Sequence, residues 1–215
     1  MDQEKLIEYI TELVIEEVKK ISSNAYIVPV GISARHVHLS QEHLEILFGK
    51  GYQLTHYKDL SQPGQFAAHE KVEVIGPKGS IKNVRILGPI RSNTQVEVAL
   101  SDARKLGINA PVRSSGDIKG TPGVILRGPA GQVEIPCGVI IAERHLHMSE
   151  EEARRFNLKD KDIVTAVVEG SKGGKMSNIV VRVNKDYRLD LHIDTDDANA
   201  FNLTQGQYLK LEKCE

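Results

Sequence analysis

The residues able to do chemistry come in matched pairs: His36-Val37-His38, and later His145-Leu146-His147. In a strand, side chains two apart share a face, roughly 6.5–7 Å apart along the chain. Each pair can therefore close two imidazoles on one cation. A lone His-x-His is most often an exposed strand face, and His43, His56 and His69 are read that way. Two pairs at matching places in one chain call for a different reading.

The match is an internal repeat. Val28-Pro29-Val30-Gly31 leads to Ala34-Arg35-His36-Val37-His38-Leu39-Ser40. Ile135-Pro136-Cys137-Gly138 leads to Glu143-Arg144-His145-Leu146-His147-Met148-Ser149. A second echo aligns Gln95–Ala103 with Asp190–Ala198, and sets Glu97 where His192 falls. Both positions end an alternating, strand-like run just ahead of a short helix. The expected ligand sets are thus His36, His38 and Glu97, and His145, His147 and His192, each short enough to leave a coordination position open. Imidazole and carboxylate suit zinc, with iron or cobalt nearly as good on ligand type alone. Asp190, Asp194, Asp196 and Asp197 stand close enough in sequence to orient imidazoles, or to cap helices.

Arg91 lies in Gly88-Pro89-Ile90-Arg91-Ser92-Asn93, on the approach to Glu97. A guanidinium there suits bidentate binding of phosphate. Lys78 and Arg85 add positive charge upstream, though on the residues alone a solvated turn and strand face is the better account of them. Neither cysteine sits in a nucleophile arrangement, and there is no Gly-x-Ser-x-Gly elbow, Walker loop or dinucleotide fingerprint. The chemistry belongs to the metals.

The elements that must position these groups are short. Dense Gly/Pro punctuation at Gly76-Pro77-Lys78-Gly79, Gly88-Pro89, Gly120–Gly123 and Gly128-Pro129 predicts short strands and tight turns. The expectation is a mainly β chain with short helices, forming two helix-capped β-barrel units related by the repeat: residues 24–34 with 143–215, and residues 35–142. Ser149 with Glu152 forms a capping box; Ser40 starts a similar helix without the acid. Residues 1–23 repeat Leu6, Ile7, Ile10, Leu13, Val14, Val18 and Ile21 at helical spacing. Periodicity alone favours a helix packed on its own body over a detachable docking tag.

The 28 basic and 29 acidic side chains nearly cancel, so no whole-molecule field favours nucleic acid or an anionic membrane. Without Trp, and with only 4 Phe and 6 Tyr, the core must come from Val, Ile and Leu. Two cysteines make no disulfide framework, and no apolar run spans a bilayer. A cytosolic setting, or a compartment filled from the cytosol, is expected.

At these residues the chain resembles the phosphate propanoyltransferase family, the phosphotransacylases of propanediol-utilising microcompartments. The motifs run from about Tyr26 to the C-terminus: Gly31-Ile32-Ser33, Arg35–Ser40, Gln62-Pro63-Gly64-Gln65, Gly76–Gly79, Gly88–Arg91, Gly120–Gly123, Glu143–Ser149 and His192–Ala200. The resemblance implies two barrels with two zinc ions between them. One ion, on His36, His38 and Glu97, would also take the coenzyme A sulfur. His145, His147 and His192 would hold the other. It implies phosphate on Arg91, and coenzyme A contacts at Gly31, Ile32, Ser33, Lys78, Arg85 and Asn199. The substrates would be acyl-CoA and phosphate, and the acyl length stays open, as does a homo-oligomer. It also raises the tag reading of residues 1–23, as an encapsulation helix for microcompartment shell or cargo proteins.

Two rivals remain at this stage. Glu42 follows His38 at an interval found in cupin-like metal oxygenases, although Leu44, Ile46 and Leu47 point to a helix there. Alternatively, closed metal sites would staple a non-enzymatic binding module, which chelation would unfold.

Overall fold

The computed structural model describes residues 26–213, together with Ile7, Tyr9, Ile10, Thr11, Leu13 and Val14. In chain order the elements are β1 (Ile27–Ser33), β2 (His36–His38), α1 (Gln41–Phe48), β3 (His56–Asp59), β4 (Phe66–Ile75), β5 (Ser80–Gly88), β6 (Gln95–Glu97), α2 (Leu100–Leu106), β7 (Val112–Arg113), β8 (Val124–Arg127), β9 (Gln132–Ile135) and β10 (Val139–Ala142). There follow β11 (His145–Met148), α3 (Glu150–Phe156), β12 (Ile163–Val168), β13 (Gly174–Val183), β14 (Asp190–Asp194), α4 (Thr195–Phe201) and β15 (Tyr208–Lys213).

The strands form two sheets. One closes into a six-stranded barrel in the order β1-β14-β11-β13-β12-β15. The other runs β7-β10-β6-β2-β5-β4-β8-β9 with β3 on β4, and stays open at β7 and β9. The fold is thus mainly β with short helices, one barrel complete and the second only partly wrapped. Each sheet has its own apolar core. Val37, Leu44, Leu47, Ile86, Val96 and Leu126 fill one, and Val30, Leu146, Ala166, Ile179, Val181 and Leu191 fill the other. As the composition requires, both are mainly aliphatic.

The repeat is legible in the strand register. In one sheet β2 lies antiparallel to β6 with His36 opposite Glu97 and His38 opposite Gln95. In the barrel β11 lies antiparallel to β14 with His145 opposite His192 and His147 opposite Asp190. Each histidine strand also has a parallel neighbour, β5 for β2 and β13 for β11. Arg35 pairs with Asp102 at 2.8 Å, and Arg144 pairs with Asp197 at 2.6 Å. These pairs tie the residue preceding each histidine strand to the first turn of α2 and of α4.

The helix starts also correspond, with one substitution. Ser149 and Glu152 make the expected capping box. At Ser40 the side chain accepts from the His43 N–H, while the Ser40 N–H donates to Thr94 Oγ1 at 3.0 Å. Thr94, from the neighbouring strand approach, replaces the missing acid. Each Gly-Pro-x-Gly turn seats against a helix end. The Lys78 N–H bonds the Leu106 carbonyl and the Ala130 N–H bonds the Leu47 carbonyl. A β-carbon on Gly76 or Gly128 would stand 2.4 Å from those same carbonyl oxygens, so only glycine fits.

Two expectations change. Glu42 is an exposed residue of α1, which does not supply the strand a cupin site needs, so that reading fails. The described residues between 7 and 14 are helical, but Ile7, Tyr9, Ile10, Leu13 and Val14 are about half exposed (47–59%) rather than packed on a body. The rest of the expectation for residues 1–23 lies outside the described residues. Among the described residues, no helix is long and apolar enough to cross a membrane.

Candidate active site

A cavity of about 310 Å³ opens between the sheets and takes its walls from both. Into it project His36, His38 and Glu97 from one sheet, and His145, His147 and His192 from the barrel. Within each trio the candidate ligand atoms lie within 4.8 Å of one another. Donors about 2.1 Å from one tetrahedral ion stand roughly 3.4 Å apart. His36 Nε2 and Glu97 Oε2 are 3.4 Å apart.

Local bonding decides which nitrogen is left to bind. His36 Nδ1 donates to the Ala34 carbonyl at 2.9 Å, and His145 Nδ1 donates to the Glu143 carbonyl at 2.7 Å. Each keeps Nε2 bare. His38 Nδ1 and His147 Nδ1 are buried and have no hydrogen-bond partner. A buried orphan nitrogen is costly unless something occupies it. Here the orphans fall at equivalent positions of the repeat, each on a member of a candidate trio.

Protonation agrees with ligation. Burial, assisted by His36 and Arg91, lowers His38 to about 2. Burial, with His192 and Arg182, lowers His147 to about 3. His145 is pushed well below its ordinary value by burial and by Arg182 and His192. All are neutral imidazoles near pH 7, the form that coordinates a cation.

Neighbouring residues fix the remaining ligands. Glu97 Oε1 accepts from Gln95 Nε2 at 2.6 Å and from Ser115 Oγ at 2.7 Å, which leaves Oε2 facing His36. His192 Nε2 donates to Asp190 Oδ2 at 2.9 Å and lies 3.3 Å from Ser61 Oγ, so Nδ1 is the free edge. Burial raises Asp190, but its bonds to His192 and Ser61 outweigh this and hold the carboxylate below its usual range. Of the acids singled out by sequence, Asp190 alone orients an imidazole. Asp194 caps α4, Asp196 accepts from Ser101 of α2, and Asp197 pairs with Arg144.

Arg91 lines the same cavity. Its Nη1 donates to Ser115 Oγ at 3.1 Å, and its backbone N–H bonds the Leu39 carbonyl. Ser115 thus joins Arg91 to Glu97. Sequence reasoning missed Ser115, Gln95, Ser61, Arg182 and Tyr187. Gln95 was findable as the repeat partner of Asp190; the others sit in loops or on a strand without a distinctive pattern.

The remaining expected positions divide. Ser33 lines the cavity. Gly31 packs so closely that a β-carbon would stand 2.8 Å from Asp190 and His192 atoms. The Ile32 N–H bonds Gln205 Oε1 at 2.8 Å. Lys78 covers Gly107, Arg85 stacks over Tyr57 at 4.6 Å, and the Asn199 carbonyl accepts from Lys172. None of these three lines the cavity.

Comparison with known proteins gives the family. The family model described as phosphate propanoyltransferase matches residues 29–204. A phosphate propanoyltransferase of Thermotoga maritima is 53% identical over 178 residues, covering 82% of this chain and 85% of that one. One from Clostridioides difficile is 46% identical over 210 residues, covering 98% and 99%. One from Salmonella typhimurium is 49% identical over 174 residues, covering 80% and 82%.

Proposed function

Because the chain belongs to the phosphate propanoyltransferase family and is therefore a phosphate acyltransferase, we propose that its cavity exchanges coenzyme A and phosphate on a short acyl group, with a zinc ion in each trio. The observation that carries the metal part is the pair of buried, unpartnered Nδ1 atoms on His38 and His147. His36, His38 and Glu97 would hold one ion, and His145, His147 and His192 the other. Bound there, zinc supplies Lewis acidity toward a carbonyl oxygen and affinity for a thiolate.

The chain's own residues do the rest. Arg91 binds the phosphate, with its fork oriented by Ser115. A phosphate oxygen attacks the thioester carbonyl carbon, the C–S bond breaks, and acyl phosphate and the coenzyme A thiolate result. No covalent acyl-enzyme is needed, and Cys137 does not line the cavity. Gly31, Ile32, Ser33, Lys78, Arg85 and Asn199 are the proposed coenzyme A contacts. A nucleotide arm extending past a cavity of about 310 Å³ is what would take it to those outside.

The test is thiol release from acetyl- and propanoyl-CoA, with and without phosphate, before and after chelation. Phosphate-dependent release that chelation abolishes without unfolding the chain supports the reading. Chelation that unfolds it favours the metal-stapled binding module instead. The exposed apolar residues between Ile7 and Val14 support docking of residues 1–23 on microcompartment shell or cargo proteins. Deleting that segment should spare activity and abolish encapsulation; loss of activity in the deletion would contradict this.

A further inference from the structure

Resting on that reading of the cavity, we infer that the Tyr187 hydroxyl is a second phosphoanion ligand beside Arg91, and that Gln62 positions it. Tyr187 lies on the loop between β13 and β14 and lines the cavity with Arg91. Its ring packs edge-to-face on His147, with centroids 4.4 Å apart and planes at 80°. That contact fixes the ring against the second trio. Arg91 lines the same cavity, as does His147 beneath the ring. The side chain therefore stands where the second trio and the phosphate-binding arginine meet.

Among the described residues, no group hydrogen-bonds the Tyr187 hydroxyl. A phenol hydroxyl offers one hydrogen-bond donor. Phosphate and acyl phosphate each present more peripheral oxygens than one guanidinium fork can satisfy. Arg91 already spends part of its fork on Ser115. An O–H beside it completes the set.

The loop carrying Tyr187 is held from the other sheet. Gln62 is 2% exposed. Its Nε2 donates to the Arg188 carbonyl at 2.9 Å, and its Oε1 accepts from the Arg188 N–H at 3.2 Å. This reciprocal clamp grips the residue next to Tyr187. The Tyr187 N–H bonds the Asn184 carbonyl at 3.0 Å and closes the loop behind it. Gln62 also lines the cavity, but both polar atoms of its amide are committed to Arg188, so it acts on the anion site by holding the Tyr187 loop.

The experiment compares wild type, Tyr187→Phe and Gln62→Ala in acyl-CoA consumption at varied phosphate. Phenylalanine keeps the ring on His147 and deletes one donor. Loss of one hydrogen bond to a charged ligand predicts a phosphate KM raised by roughly tenfold or more. The acyl-CoA KM and the metal content should stay within about twofold of wild type. Gln62→Ala should move the phosphate KM the same way. A phosphate KM unchanged in an active Tyr187→Phe enzyme overturns the ligand role, as does an equal rise in both KM values. An unchanged Gln62→Ala overturns the positioning role. If wild type turns over no acyl-CoA, the proposed function fails separately. Phosphate affinity by calorimetry, wild type against Tyr187→Phe, then still decides what the hydroxyl does.

Discussion

Acidifying the metal-free protein from pH 7 to pH 5.5 should weaken it steeply, through the histidines of the cavity. Burial lowers His38 to about 2 and His147 to about 3 from the 6.5 expected unfolded. Below pH 6.5 the unfolded chain takes up protons that the folded chain refuses. The stabilisation is therefore full above pH 6.5 and drains as pH falls toward the folded values. At one unit below the unfolded pKa, each such histidine costs about 1 kcal/mol, so the pair costs roughly 2–3 kcal/mol by pH 5.5. His145, pushed the same way, adds to the loss. Glu70 and Asp190, held below their ordinary values, lose their stabilisation only in the more acidic carboxylate range. The window from pH 7 to 5.5 thus isolates the imidazoles. Urea unfolding in chelator, comparing wild type with His38→Asn/His147→Asn, reads the effect. The variant should lose less than wild type over that window, by about 2–3 kcal/mol. Equal pH slopes, or a flat wild-type profile, would refute the reasoning.

Arg91→Ala should raise the phosphate requirement steeply and cut turnover, while zinc content matches wild type by elemental analysis. Normal activity at ordinary phosphate would remove Arg91 from the site. Gly128→Ala places a β-carbon 2.4 Å from the Leu47 carbonyl oxygen. Backbone must shift to admit it, at about 1–3 kcal/mol, so thermal unfolding should move down while activity per folded molecule stays unchanged.

Much of the site was legible because strand pairing writes it twice. His36 faces Glu97 across one antiparallel pair and His145 faces His192 across the other. Aligning the repeats therefore aligns the candidate ligands, even where carboxylate replaces imidazole. Spacing of two within a strand does the rest. Ser115, Ser61, Tyr187 and the role of Gln62 were hidden for the opposite reason. These residues sit outside the strands and helices, where no period constrains residue type, and their partners are remote in sequence. Gln62 and Arg188 are 126 positions apart. Thr94 likewise completes the Ser40 cap from 54 residues away. Alternation marks strands but not their closing partners, so it did not distinguish the closed barrel from the open sheet. Lys78 sits in a turn whose backbone docks on the end of α2, a packing role that its charge did not announce.

The most direct test is metal stoichiometry by elemental analysis of active, untagged protein and of Glu97→Ala and His147→Ala. Two zinc ions per chain are predicted for wild type, and one for each variant, with the remaining ion in the intact trio. Wild type active with no transition metal, or both variants retaining the full complement, would contradict it.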